Sequence, residues 1–140
     1  YETICGGTGA GPDFDGASAV HSHMTNTLMT DPEVLETRFP LRLESFSIRT
    51  DSGGIGRHTG GNGITRRLRF LEEMTATTLT SHRILPPHGM AGGAPGGIGE
   101  NSVERVDGGT DMLKGNDQTQ MMPGDIFVMK TPGGGGYGAP

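Results

Sequence analysis

The chain has 140 residues, 26 of them Gly, with no Trp, a single Cys and a formal net charge of −5. This length predicts one domain, and the mild acidity excludes a nucleic-acid binder, because no basic stripe is available to neutralise phosphates. No apolar run approaches the roughly eighteen residues of a membrane span, no signal peptide is recognisable, and the lone Cys5 excludes an internal disulfide framework and fits a reducing, cytoplasmic setting.

Leu, Ile, Val and Phe together make 26 of the 140 residues, at the low edge for an ordered core. The expectation is a loop-rich β domain that leans on other protein surface. Its glycines would serve positions of positive φ or close backbone approach. The chain starts at Tyr1, not Met, and enters at once into YETICGGTGAGP, which reads as the interior of a longer protein. The run from Tyr1 to Gly16 predicts a tight loop packed on other backbone. Gly7, Gly9 and Gly11 recur at period two and Pro12 follows, so no GxGxxG fingerprint is present. GxxxxGK[ST] is also missing, so a phosphate-binding P-loop is excluded and the chain is expected to bind no ATP itself.

VHSHMTNT, Val20 to Thr27, comes next. As a strand it sets His21, His23, Thr25 and Thr27 on one face, which suggests the wall of a site. TDPEVLETRFP predicts a short helix over Asp31 to Arg38: Thr30 and Glu33 have capping-box spacing, Pro32 falls in the first turn, and Pro40 forces an end. This closes a first region, residues 1–40, and a β-rich region follows over 41–140. LRLESFSIR alternates and then shifts phase, predicting a bulge near Ser45. ITRRLRFL alternates at Ile64, Leu68 and Phe70, so the arginines of its RRLR run divide between two faces. MTATTLTSHR is rich in β-branched threonine. SVERVDGGTDML reads as a hairpin around Asp107-Gly108, and PGD turns the chain into IFVMK. Two long Gly-rich loops, DSGGIGRHTGGNG and PPHGMAGGAPGGIGE, interrupt these strands and predict ligand-facing or subunit-facing surface. The fold class is therefore mainly β, a sandwich or partial barrel with one short helix near its start.

Histidines one residue apart, with Asp13 and Asp15 nearby, are residue types that bind metal. Histidines bonded to a neighbouring loop would look the same. A general acid–base role suits His21 or His23 as well, since imidazole titrates near neutrality. Asn26, Thr25 and Thr27 have the groups to orient an amide or carboxylate. No GxSxG elbow is present, and Cys5 has no histidine at recognisable spacing, so nucleophilic catalysis has little support. His58, His82 and His88 read as surface residues.

Taken together, YETICGGTGAGPDFDGASAVHSHMTNTLMTDPEVLETRFPL, SGGIGRHTGGNGI and TPGGGGYG resemble the hydantoinase B / oxoprolinase family of N-methylhydantoinase B subunits, to which the large subunits of acetone and acetophenone carboxylases also belong. The resemblance spans essentially the whole chain and places it in the C-terminal part of such a protein; Cys5 stands where another glycine is expected. It implies an ATP-dependent amidohydrolase that opens hydantoin-like or oxoproline-like rings. ATP would be held by a hydantoinase A-type partner subunit, not by this chain, and a divalent metal is compatible, though associated with upstream sequence. The implied site takes His21 and His23 as catalytic residues and Asp15, Thr25, Asn26 and Thr27 as substrate-binding residues. Ketone carboxylation is the competing chemistry. A structural and interface module, inert when isolated, is the competing class.

Overall fold

A computed structural model gives the architecture and describes residues 1–22, 25 and 27–140. Helix α1 spans Pro32–Arg38 and is the only helix among the described residues. Its N-cap is Asp31, one residue later than the capping-box spacing suggests: Asp31 Oδ1 accepts from Glu33 N–H at 2.9 Å. Pro32 sits in the first turn, where its missing N–H costs nothing, and extended Phe39 caps the other end ahead of Pro40. Only Leu35 of the helix is buried.

Seven strands follow: β1 (Leu41–Ile48), β2 (Ile64–Phe70), β3 (Met74–Leu79), β4 (Glu100–Glu104), β5 (Thr110–Leu113), β6 (Asn116–Met121) and β7 (Ile126–Lys130). Five form one antiparallel sheet in the order β1-β2-β7-β4-β5, and β3 pairs with β6 in a second. The β1–β2 register shifts between Leu43 and Ser45, next to the expected bulge. Gly108 turns the β4–β5 hairpin at φ +93° and Gly124 the entry to β7 at φ +96°, conformations that cost glycine little. The NDQTQM run of β6 carries almost no apolar signal and was not expected as a strand; pairing with β3, Met74 opposite Met121, makes it one.

Alternation decides what lies between the sheets. Leu68 and Phe70 of β2, Phe127 of β7 and Val103 of β4 share the inner face and meet Met121, Met74 and Ala76 of the smaller sheet. The result is a small sandwich-like core, open at its edges and not a closed barrel. The outer face is ionic, as the divided RRLR run suggests: Arg67 pairs with Glu104, Arg69 with Glu44, and Lys130 with Glu100. Arg66 departs from that pattern. It lies on the inner side at 2% exposure, holds Glu2 at 3.0 Å and stands 5.6 Å from the Phe46 ring centroid. Asp125, 1% exposed, is the polar knot of the sheet. It accepts from Met122 N–H at 2.9 Å, Val106 N–H at 3.0 Å and Arg105 Nη1 at 2.7 Å.

The glycine loops form a second structural unit built mainly from backbone, with Asn62, Ser52, Ser18 and Asp15 side chains accepting at its edges. Residues 132–138 run through its centre and bond with a period of three. Pro132 and Gly135 carbonyls accept from Gly7 and Ala10; Gly133 and Gly136 N–H groups donate to Gly97 and Ala94; Gly134 and Tyr137 N–H groups donate to Gly61 and His58. Three residues per turn is the repeat of a polyproline-II-type helix, which makes no internal hydrogen bonds and so offers its groups to neighbours. The segments touch backbone to backbone. A Cβ on Gly134 would stand 1.8 Å from Thr8 O, and one on Gly60 2.0 Å from Gly134 O. Four glycines, Gly92, Gly108, Gly124 and Gly138, have positive φ; in the bundle, close approach is what glycine supplies. Much of both long loops is thus packed inside the chain's own glycine bundle.

Candidate functional site

The histidine segment leaves the glycine bundle from a fixed edge. Gly16 N–H donates to Thr59 O at 2.7 Å, Thr8 N–H to Ala17 O at 3.0 Å, Ala19 N–H to Asn62 O at 2.9 Å and Val20 N–H to Gly6 O at 3.1 Å. Ser18 Oγ accepts from Asn62 N–H at 2.9 Å. Ala19 adopts φ +55°, a left-handed turn unusual for a residue with a Cβ. The backbone is therefore tied down up to the residue before His21, and α1 takes up the chain again at Asp31.

Between these anchors the expected strand is absent among the described residues. His21, Ser22, Thr25 and Thr27 carry no strand assignment, and Thr25 N–H donates to Ser22 O at 3.1 Å, a local bond that an extended strand does not make. Among the described residues the period-two pattern has no strand partner beyond the bridge of Val20 to Gly6. His21 and Thr25 are half-buried and Thr27 is exposed. His23 and Asn26 lie outside the described residues.

Asp15 is placed by the bundle. Its Oδ1 accepts from Thr59 N–H at 2.7 Å and stands 3.5 Å from His58 Nδ1. His58 is therefore more than a loose surface residue. Its backbone exchanges two bonds of 2.9 Å with Tyr137, and its ring meets a carboxylate 43 positions earlier. No local signal in the sequence announces that pairing, since the two loops meet only through the bundle. Asp15 retains 70% side-chain exposure and so keeps a free edge toward solvent.

Cys5 is buried, and that burial pushes its thiol pKa up, which makes it a small apolar group and no nucleophile. Among the described residues no three His, Cys, Asp or Glu side chains gather as a metal site would need. Among the same residues no helix is long and apolar enough to cross a membrane. Two open cavities, of about 520 and 310 Å³, lie one beside the 80–85 loop and one along α1.

Comparison with known proteins shows what this scaffold is shared with. The profile of the family described as Hydantoinase B/oxoprolinase matches residues 1–140. A 5-oxoprolinase of Saccharomyces cerevisiae is 49% identical over 145 residues, covering 99% of this chain and 11% of the relative. The caprolactamase subunit beta of Pseudomonas jessenii is 34% identical over 145 residues, covering 99% of this chain and 25% of that subunit. The crystal structure of the ATP-dependent caprolactamase from the same organism superposes with a TM-score of 0.76 at 24% identity, over 98% of this chain and 25% of that one. A nucleotide-free acetone carboxylase shares the fold with a TM-score of 0.75 at 19% identity, over 96% of this chain and 22% of that one. The chain thus spans about a tenth to a quarter of the length of these relatives.

Proposed function

Because the chain belongs to the Hydantoinase B/oxoprolinase family, we propose that it is the C-terminal portion of an ATP-dependent cyclic-amide hydrolase opening hydantoin-like or oxoproline-like rings. The observation that carries this reading is the 49% identity to a 5-oxoprolinase across 99% of the chain. In this reading the whole protein works in the cytoplasm with a hydantoinase A-type subunit. That subunit binds ATP and transfers its γ-phosphoryl group to the ring carbonyl oxygen, releasing ADP. Water then adds to the activated carbon, and the C–N bond breaks with its electron pair and a proton going to the ring nitrogen, leaving an acyl phosphate. A second water hydrolyses that acyl phosphate to the carboxylate and inorganic phosphate.

The role given to this chain is to line the site where water attacks. His21 or His23 takes the proton from the attacking water, while Thr25, Thr27 and Asn26 bind the ring's amide edge and Asp15 its polar rim. The anchoring of the backbone as far as Val20 supports this, since a proton acceptor works only when held in place. A divalent metal is given no role on these residues. Alone, the 140-residue chain is expected to be inert, because the nucleotide site lies on another subunit.

The test uses the full-length protein with its partner. His21→Ala and His23→Ala should each lower ATP-dependent ring opening by about a hundredfold or more, with little change in melting temperature. Near-normal turnover together with a loss of several degrees would make the histidines structural and overturn their assignment. The fold shared with an acetone carboxylase favours a second reading, ketone carboxylation. Incorporation of labelled bicarbonate into a ketone, without ring opening, would select it.

A further inference from the structure

We propose that the cavity between the 80–85 loop and the 114–116 turn is the seat of a carboxylate-bearing, apolar segment from the part of the full-length polypeptide outside these 140 residues. The cavity, about 520 Å³, is lined by Arg83 and Lys114 on its cationic side, with the His82 ring next to them, and by Ile84 and Leu85 on its apolar side, with no acidic side chain in its wall.

Arg83 is held as a receptor would hold it. Its Nε and Nη2 donate to Asn101 Oδ1 at 3.2 and 2.9 Å, and its Nη1 to Ser81 O at 2.6 Å. Asn101 is fully buried, and its own Nδ2 donates to Thr80 Oγ1 at 2.9 Å and Lys114 O at 3.3 Å, so the amide oxygen is committed to the arginine. Gly99 makes room for the guanidinium: a Cβ there would meet Nη1 at 2.3 Å and Cζ at 2.6 Å. All these acceptors are neutral. Arg66, Arg67, Arg69 and Arg105 each have a carboxylate, whereas Arg83 has none among the described residues. Burial, with Arg49 nearby, pulls its pKa down to about 10, the mark of a desolvated charge without compensation. A partly buried cation that still has N–H groups to offer is completed by an anion.

The surroundings select a protein segment as the source of that anion. Ile84 and Leu85, in the cavity wall beside the arginine, are 88% and 75% exposed. A free small carboxylate has no use for two exposed aliphatic side chains, whereas a polypeptide supplies apolar and acidic groups together. A fixed arginine flanked by exposed aliphatic side chains is also the composition of an interface hot spot. The loop is not slack. His82 sits at φ +54°, its Nδ1 lies 3.1 Å from Leu85 O, and its carbonyl accepts from Gly99 N–H at 2.8 Å, which turns Ile84 and Leu85 outward. Relatives are four to nine times longer than this chain, so the same polypeptide has ample sequence to provide the occupant. The inference rests on the chain being part of a longer protein, and it is independent of the reaction that protein catalyses.

The experiment replaces Leu85 with photoreactive benzoylphenylalanine in the full-length protein bound to its partner subunit, and maps the crosslinks by mass spectrometry. The expected crosslink joins Leu85's position to a segment outside residues 1–140 that carries Asp or Glu close to the linked residue. Adding Arg83→Glu should lower the yield about tenfold, and converting that acid to Lys should restore it. Arg83→Gln removes the charge while keeping a donor for Asn101, and should also lower the yield. Crosslinks only within residues 1–140, to the partner subunit or to a second copy, or an unchanged yield in both Arg83 variants, overturn the proposal. Ring opening measured on the same samples separates the two readings: its absence with the crosslink intact defeats the hydrolase assignment alone.

Discussion

The five-stranded sheet and the glycine bundle solve the same problem, holding distant segments together, by opposite means. In the sheet, alternating side chains fill a volume around Val103 and Phe127, and removing water from them drives assembly. In the bundle, the missing side chains are the design: carbonyl and N–H groups of Gly133 to Gly136 reach three other segments because no Cβ stands between. A sheet position asks how well a side chain packs. A bundle position asks whether any side chain is tolerated at all. That difference explains how a chain with so few large apolar residues packs its long glycine loops as well as its sheets.

The sharpest way to break this contrast is to add one methyl group to each of two glycines. Gly134→Ala would drive a Cβ to 1.8 Å from Thr8 O, against backbone that cannot swing aside. It should cost more than about 3 kcal/mol, beyond the usual range for overpacking, or prevent folding. Gly108→Ala, at φ +93° with nothing within 4 Å, should cost only about 1 kcal/mol from the left-handed backbone. Similar losses in thermal melts would show that backbone approach is not what the bundle depends on.

The second prediction concerns the sheet's polar knot. Asp125→Ala leaves Arg105, Val106 N–H and Met122 N–H without their shared acceptor, at a cost of about 3 kcal/mol; this is the low end for a buried pair because Arg105 keeps some solvent. Burial alone would raise the Asp125 pKa. The Met122 N–H, the Arg105 guanidinium and the Val106 N–H outweigh it and leave the carboxyl below its ordinary value of 3.8. A lowered folded pKa means that the stabilisation is present above pH 3.8 and is lost as pH falls through the folded value. The gap in melting temperature between wild type and Asp125→Ala should therefore narrow in strong acid. A gap that stays constant to pH 2 would remove the carboxylate from the account.

The smallest effect belongs to the sheet's outer face. A double-mutant cycle on Arg67 and Glu104, which are 31% and 39% exposed, should give a coupling of about 0.2–1 kcal/mol that weakens with salt. A coupling well above about 2 kcal/mol would show that the ion pairs, and not only the inner face, hold the strands in register.

How much of this was legible in the sequence follows from the range of each signal. The helix could be read because Asp31, Pro32 and Pro40 act within a few residues of themselves. Strands β1 and β2 could be read because each has its own apolar alternation, and β7 because IFVMK is a short apolar run directly after a turn. Strand β6 could not, since Asn116 to Gln120 are polar and owe their extended form to β3. The segment from Val20 to Thr27 failed in the other direction: it has a strand's pattern but, where described, no strand pairing beyond Val20's single bridge to Gly6. Of the candidate site, the residue types were visible, but the meeting of Asp15 with His58 was not. Two loops far apart in the chain bring it about. The glycines were conspicuous throughout, yet whether each served a turn or a close contact depended on backbone up to 127 positions away, as between Gly7 and Gly134.

The three-residue repeat of segment 132–138 has a consequence for how the molecule is made. Each of the stretches 7–10, 58–61 and 94–97 leaves the ribosome before the segment that joins them all. Until residues 132–138 emerge, the Gly7 and Ala10 N–H groups and the His58, Gly61, Ala94 and Gly97 carbonyls lack their partners, and contacts this distant in sequence form slowly. The earliest and latest stretches of this region therefore become ordered together, and a nascent chain halted shortly before Pro132 has three glycine runs without the segment that joins them, open to the mispairing that partly synthesised chains risk.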